Sequence, residues 1–246
     1  YTNCDRHFRE EIQMYTFDSK VRYSEIDHRG TMTLPALINY FQDCSTFQSE
    51  SLGFGVKAAK EKKKAWILSY WQVVVERYPE LGEEITVGTF ASDFKGLFGE
   101  RNFVMLDKEN NRLSCANSLW VYMDMEKGRP ILPDKEEIEA YGTEPKLDMD
   151  YEGRKIRPAA EYEDREAFPV RKYHIDTNEH VNNCQYVQFA MELLPKDQVI
   201  HQVRVGYKKS AVLGDVIYPK YAKETDRTVI ELCDEKGASY ATVEVK

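Results

Sequence analysis

The densest group of polar side chains between apolar segments is residues 176–183, which read DTNEHVNN. A carboxylate can take a proton from water or attack a carbonyl carbon directly, and amide and imidazole groups can hydrogen-bond the carbonyl oxygen or the water. In an extended segment the side chains of Asp176, Asn178 and His180 would point to one side. The stretch therefore predicts a hydrolytic site with Asp176 as general base or nucleophile and with Asn178 and His180 orienting water or carbonyl.

This stretch lies between the end of a predicted strand and the start of a predicted helix. The first N–H groups of a helix lack intrahelical partners and can hold a developing negative charge. We expect Asn182 and Asn183, at the helix start, to bind substrate. The alternative is a capping loop, because Asp and Asn are favoured N-caps and turn residues, and Asn183 could fill that role alone.

Each half of the chain is predicted to contain a strand, an amphipathic helix and a run of strands. In the first half, a strand at 21–26 precedes a helix that begins at the N-cap Thr33 and stops at Gly53, and strands follow at 66–76, 85–93, 101–107 and 113–124. In the second half, a strand at 168–175 precedes an apolar helical stripe that ends at Pro195, and strands follow at 199–209, 216–222, 227–233 and 239–245.

The two halves also match in sequence. Residues 21–27 (VRYSEID) match 170–176 (VRKYHID) at an offset of 149 residues, and 80–83 (ELGE) match 212–215 (VLGD) at an offset of 132. Agreement in order, spacing and predicted elements favours duplication over chance. The pattern predicts an α+β fold of two tandem hot-dog domains, at 1–135 and 166–246, each a curled antiparallel sheet wrapped around a long central helix. The charged segment 136–165, with a helical turn near 135–141, is predicted to be a linker.

The first copy keeps Asp27 and Gly30 but has TMTL at 31–34 where the second has HVNN at 180–183. It lacks the imidazole and the amides. We therefore expect one active site per chain and a structural role for Asp27.

Composition excludes several classes of protein. The 246 residues carry 34 Lys+Arg against 42 Asp+Glu, a net charge of -8, which argues against a nucleic-acid-binding protein. Mean hydropathy is -0.61 and no apolar run approaches the ~18 residues of a membrane span, and the stretch 1–10 does not resemble a signal peptide. Five scattered cysteines without a CxxC pair indicate neither zinc nor disulfides. We expect a cytoplasmic protein without metal or other cofactor.

These residues resemble the acyl-acyl-carrier-protein thioesterases of plants and bacteria over essentially the whole chain. The family's DxNxHVNN string is matched at Asp176, Asn178, His180, Val181, Asn182 and Asn183, and 23–27 and 207–209 also look like family positions. The resemblance implies a duplicated hot-dog fold, a role in fatty acid biosynthesis, and hydrolysis of the thioester between a fatty acyl chain and acyl carrier protein (ACP), its partner.

The chain departs from the plant members at one place. They have a Glu-Cys pair directly after the Tyr-Arg-Arg that corresponds to 207–209, whereas this chain has Ser210 and Ala211. A mechanism that needs that glutamate or cysteine cannot be transferred, and Ser210 is predicted only to bind substrate. Cys184, four residues after His180, is expected to belong to the core.

Other functions remain open from sequence alone. An acyl-CoA thioesterase would differ only in what holds the thiol, and a non-catalytic acyl-thioester-binding protein would need an output module for which no room is evident. A hot-dog hydratase is disfavoured because Asp176 and His180 are four residues apart, not five. The basic run 60–64 is more simply a solvated turn than a docking patch, and a homodimer is left open.

Overall fold

The computed structural model describes residues 13–246, so the stretch 1–10 and Cys4 lie outside the described part. The chain forms two compact units. The first takes the chain up to Leu68 and again from Val73 to Tyr151, and the second takes Ser69–Gln72 and Glu152–Lys246. No helix within the described residues is long and apolar enough to cross a membrane.

The first unit packs one long helix on an antiparallel sheet. Helix α1 (Leu34–Ser51) has 18 residues, and the N-cap Thr33 accepts a hydrogen bond from the Ala36 N–H at 3.2 Å, as predicted. The sheet order is β1-β3-β4-β5-β2, and the bounds are β1 Tyr15–Lys20, β2 Lys64–Val75, β3 Glu84–Lys95, β4 Phe98–Asp107 and β5 Arg112–Asp124. Shorter elements are α2 (Val56–Lys62), β6 (Arg129–Pro130) and α3 (Lys135–Tyr141).

The second unit repeats this arrangement with a shorter helix. Helix α4 (Asn183–Met191) has nine residues, so the prediction of a long central helix holds for the first unit only. The sheet order is β9-β12-β11-β10, with β7 and β8 both paired to β10. The bounds are β7 Glu163–Asp164, β8 Phe168–Pro169, β9 Gln202–Tyr207, β10 Val216–Lys223, β11 Thr228–Cys233 and β12 Ser239–Val245.

The strands predicted at 21–26 and 168–175 are largely wrong. Three-residue 3₁₀ turns occupy 23–25 and 172–174, and the second segment is a strand only at β8. Both turns are closed by a side chain three residues ahead. The Arg22 N–H donates to Glu25 Oε2 at 2.8 Å, and the Arg171 N–H donates to His174 Nδ1 at 2.9 Å. These bonds satisfy backbone groups locally and outweigh the β-type alternation.

The internal repeat is confirmed at the level of single hydrogen bonds. At the offset of 149, the bridge between Ile26 and Met32 recurs between Ile175 and Val181. Two N–H···O bonds also recur, with their donors at the offset of 149 and their acceptors at the offset of 132: Val21 to Glu83 (3.0 Å) as Val170 to Asp215 (2.8 Å), and Met32 to Pro79 (2.8 Å) as Val181 to Ala211 (2.9 Å). Both sequence matches therefore mark equivalent structure.

The predicted linker, residues 136–165, is mostly exposed but contacts the sheets at several points. In the first unit it begins with α3, and Leu147 is buried with Phe90 and Cys115. In the second unit, Arg227 donates to the carbonyl oxygen of Arg157 at 2.8 Å. The segment is thus held to both sheets by contacts within each unit, while the domain boundaries 1–135, 136–165 and 166–246 stay predictions.

Candidate active site

Asp176 and His180 face each other across a short hairpin in the second unit. The Asp176 N–H donates to the His180 carbonyl oxygen at 2.8 Å, one step beyond the bridge between Ile175 and Val181. In this register the two residues oppose each other, and the equivalent side chains of the first unit meet, since Thr31 Oγ1 donates to Asp27 Oδ1 at 3.4 Å. Asp176 and His180 are both half-buried. The hairpin thus places a carboxylate beside an imidazole.

The predicted extended segment at 176–180 is wrong, so strand alternation does not place the Asn178 side chain beside those of Asp176 and His180. Residues 177–180 form a turn in which Asp176 Oδ1 accepts a hydrogen bond from the Asn178 N–H at 2.7 Å. Glu179 has a φ of 63°, in the left-handed region, where the first unit has Gly30 with a φ of 80°. Asn178 is exposed at the turn, and its catalytic role stays a prediction.

The two units differ in what their aspartates bind. In the first unit, Asp27 Oδ1 accepts from the Arg29 N–H at 2.9 Å, and Oδ2 accepts from Arg29 Nε at 2.9 Å and faces Nη2 at 2.7 Å. Burial acts to raise the pKa of Asp27, but these bonds outweigh it and hold the pKa below its ordinary value. Asp27 is therefore a structural carboxylate, as expected.

In the second unit, Asn178 stands where the first has Arg29. Asp176 Oδ1 is engaged by the Asn178 N–H, but Oδ2 accepts no hydrogen bond from any described side chain or backbone group. The second hairpin therefore keeps the backbone of the first and frees one carboxylate oxygen beside His180. A free carboxylate oxygen can accept a proton.

Asn182 is the N-cap of α4. Its Oδ1 accepts from the Cys184 N–H at 2.8 Å, and its carbonyl oxygen accepts from the Gln185 N–H at 2.9 Å. The cap is thus Asn182, whereas the sequence alternative placed it at Asn183. Of the first-turn donors, the Asn183 N–H has no partner among residues 13–246, and it could hold a negative oxygen. Substrate binding by the two asparagine side chains stays a prediction.

The segment containing Ser210 and Ala211 runs beside the hairpin. The Ala211 carbonyl oxygen accepts from the Val181 N–H at 2.9 Å. Ser210 is exposed, and the equivalent residue of the first unit is Tyr78, a half-buried side chain whose pKa is raised by burial. The second unit thus has a small polar residue where the first has a large aromatic one.

Two further predictions concern Cys184 and the basic run 60–64. Cys184 is buried, with 2% of its surface exposed, which confirms its place in the core. The prediction of a turn at 60–64 is wrong, because residues 60–62 end α2 and Lys64 begins β2. Lys63 pairs with Glu126 at 2.6 Å and Lys64 with Asp134 at 2.9 Å within the same unit. Within the described part of the chain, no three His, Cys, Asp or Glu side chains cluster closely enough to hold a metal ion.

The sequence does not single out Tyr186, which lies in the apolar helical stripe that ends at Pro195. Its hydroxyl accepts a hydrogen bond from the Ala211 N–H at 2.8 Å. The internal repeat held a signal, because the equivalent residue in the first copy is Leu37. A hydroxyl that appears only in the copy with the polar hairpin is a functional candidate.

Each of the two units matches one domain of a known protein family. Residues 13–141 match the acyl-ACP thioesterase N-terminal domain, and residues 158–246 match the acyl-ACP thioesterase C-terminal domain. An acyl-[acyl-carrier-protein] hydrolase, FATB3, of Cuphea viscosissima is 27% identical over 243 residues, which cover 90% of this chain and 59% of that protein. Oleoyl-acyl carrier protein thioesterase 1 of Arabidopsis thaliana is 22% identical over 218 residues, covering 80% and 60%. The chain thus spans about three fifths of the length of these relatives.

Solved structures share the fold along nearly the whole chain. An acyl-ACP thioesterase of Bacteroides thetaiotaomicron has a TM-score of 0.85 at 20% identity, covering 94% of this chain and 96% of its own. The 12:0-ACP thioesterase of Umbellularia californica has a TM-score of 0.81 at 21% identity, covering 96% and 98%. The predicted tandem hot-dog, α+β fold is confirmed. Because the family's two domains match the two units in order and cover most of the chain, this protein belongs to the acyl-ACP thioesterase family.

Proposed function

We propose that this chain hydrolyses the thioester of fatty acyl-ACP and releases a free fatty acid. Family membership supports the reaction class. The observation that carries the proposal is the unpaired Oδ2 of Asp176 opposite His180, at a position where the other repeat clamps its aspartate with Arg29. Of the two aspartates, Asp27 and Asp176, the one in the second unit keeps a carboxylate oxygen free to accept a proton beside the residue His180. We also propose a cytoplasmic location, in keeping with the sequence expectation.

The proposed reaction uses water as the nucleophile. Asp176 Oδ2 takes a proton from the water, and the water oxygen bonds to the thioester carbonyl carbon. His180 and the Asn183 N–H donate hydrogen bonds to the carbonyl oxygen as it becomes negative. When this intermediate collapses, the C–S bond breaks, its electron pair goes to sulfur, and the proton on Asp176 passes to the sulfur. The products are a carboxylic acid and the thiol of the carrier.

Direct attack by Asp176 is the alternative route to the same products. It would form an acyl anhydride with the carboxylate, and water would then cleave it. A single turnover in H₂¹⁸O followed by mass spectrometry of the peptide containing Asp176 tests for the anhydride. Label in that carboxyl group requires an anhydride that water cleaves at the aspartyl carbon, whereas label only in the fatty acid requires that water attacks the fatty-acyl carbon, in the thioester or in the anhydride.

The experiment that tests the function follows free thiol from acyl-ACP and acyl-CoA of several chain lengths. We expect turnover with acyl-ACP, and we expect Asp176→Asn to abolish most of it. The matched control is Asp27→Asn, the same change at the equivalent place in the first repeat, which should leave kcat near that of the unaltered chain. Release from acyl-CoA alone, or full activity of Asp176→Asn, would refute the proposal.

A further inference from the structure

The hydroxyl of Tyr186 is buried, and it accepts a hydrogen bond but donates none among residues 13–246. The side chain is 2% exposed, and Oη accepts one hydrogen bond, from the Ala211 N–H at 2.8 Å. Among residues 13–246 nothing accepts its own proton. Burial raises the pKa of Tyr186 to about 12, so the phenol stays protonated at neutral pH. A buried O–H donor without an acceptor is costly, which indicates that it binds a molecule other than the chain itself.

The repeat shows that this hydroxyl is not required by the fold. The residues equivalent to Tyr186 and Ala211 are Leu37 and Pro79. Proline has no N–H, so the first unit needs no hydroxyl at this point and places an apolar side chain there. The carbonyl oxygen of Pro79 still accepts from the Met32 N–H at 2.8 Å, as that of Ala211 accepts from Val181. The same backbone is therefore held with either pair.

The hydroxyl lies close to the hairpin that carries the site. Ala211 is bonded on one side to Tyr186 and on the other to Val181, which is adjacent to His180. The negative charges of Asp215 and Asp176 both act on the phenol and contribute to raising its pKa. Tyr186 and Asp176 share no direct hydrogen bond, and a water between them could accept the phenol proton and donate to Asp176 Oδ2.

We propose that Tyr186 is a catalytic residue whose O–H holds the attacking water for Asp176. This inference rests on the proposed hydrolysis. The water accepts the phenol proton in a hydrogen bond and donates its own proton to Asp176 Oδ2, which leaves one lone pair of the water oxygen directed at the thioester carbon. The phenol keeps its proton throughout, so no acid or base beyond Asp176 is needed.

The repeat supplies the test. Tyr186→Phe removes the hydroxyl and leaves the Ala211 N–H without its acceptor. The double variant Tyr186→Phe/Ala211→Pro removes the hydroxyl and the N–H together, which matches the pair Leu37 and Pro79 of the first unit. We expect both variants to lose kcat with acyl-ACP by about 10²-fold, with KM nearly unchanged, since a misplacement of a reactant by about 1 Å can cost a factor of this size. We expect the double variant to regain thermal stability relative to the single one. Activity that returns in the double variant would mean a structural role only and would overturn the inference.

A product ratio makes the test independent of the folded fraction. With hydroxylamine added, the enzyme partitions the acyl group between fatty acid and hydroxamate. If Tyr186 holds water, Tyr186→Phe raises the hydroxamate-to-acid ratio, and an unchanged ratio overturns the inference. If the unaltered chain hydrolyses acyl-ACP and the ratio is unchanged, only the role of Tyr186 is refuted. If the unaltered chain does not hydrolyse acyl-ACP, the proposed function is refuted as well.

Discussion

His180 occupies in the second unit the place that Thr31 occupies in the first. In each hairpin the carbonyl oxygen of this residue accepts the N–H of an aspartate, at 2.8 Å for Asp176 and at 2.9 Å for Asp27. The two hairpins therefore share one backbone and differ in their side chains. Each unit serves as a reference for the other, since a residue can be exchanged for one that the same backbone already accommodates.

His180→Thr is the first such exchange. Because Thr31 occupies this position in the first unit, we expect the melting temperature to change little. Loss of a positioned donor to the carbonyl oxygen should lower kcat by roughly 10²–10³. Thermal unfolding and thiol release from acyl-ACP measure the two effects separately. Activity within threefold of the unaltered chain would exclude His180 from the reaction.

Asn178→Arg is the second exchange, and it should close the site. In the first unit, Arg29 binds Asp27 Oδ2 at 2.9 Å and holds the pKa of that carboxyl below its ordinary value. The same clamp on Asp176 would occupy its free oxygen and weaken it as a base. We expect the arginine variant to lose more kcat than Asn178→Ala, which removes only the amide. Equal activity of the two variants would show that the free oxygen of Asp176 is not used.

The sequence predicts the repeat well because the repeat depends on short local matches, such as VRYSEID and VRKYHID. It does not predict the 3₁₀ turns, because a single bond from the Arg171 N–H to the His174 ring outweighs the strand-like alternation around it. It also misses Tyr186. An aromatic residue in a helical stripe resembles core, and its bond to Ala211, 25 residues away, depends on tertiary structure.

The turn at 172–174 gives a prediction about pH. Burial first, and then the positive charge of Arg171, hold the pKa of His174 below the ordinary 6.5. Below pH 6.5 the unfolded chain binds a proton that the folded chain resists, so the stability contributed by neutral His174 is present above that pH and is lost as the pH falls. Each pH unit can cost at most ~1.4 kcal/mol for one proton. Urea denaturation between pH 7.5 and 5 measures this loss.

The matched variant is His174→Gln, whose side-chain oxygen can accept from the Arg171 N–H as that of Glu25 accepts from the Arg22 N–H at 2.8 Å in the first unit. A glutamine would keep the turn closed and has no group that titrates between pH 5 and 7.5. We expect the variant to lose less stability than the unaltered chain over this range. Equal losses in the two proteins would assign the acid sensitivity to other groups.

Glu244 gives a prediction about stability. In the second unit it bonds Arg204 Nη1 at 2.8 Å and Arg227 Nη1 at 2.6 Å, and all three side chains are buried. Glu244→Gln leaves two guanidinium groups without that buried charge, and removal of one partner from such a pair costs about 3–5 kcal/mol. We expect a loss of this order in the free energy of unfolding, measured in urea.

The control is Glu224→Gln, which removes a more exposed partner of Arg227 and should cost much less because solvent screens it. Similar losses for both variants would mean that Arg204 and Arg227 do not depend on Glu244 for their charge balance.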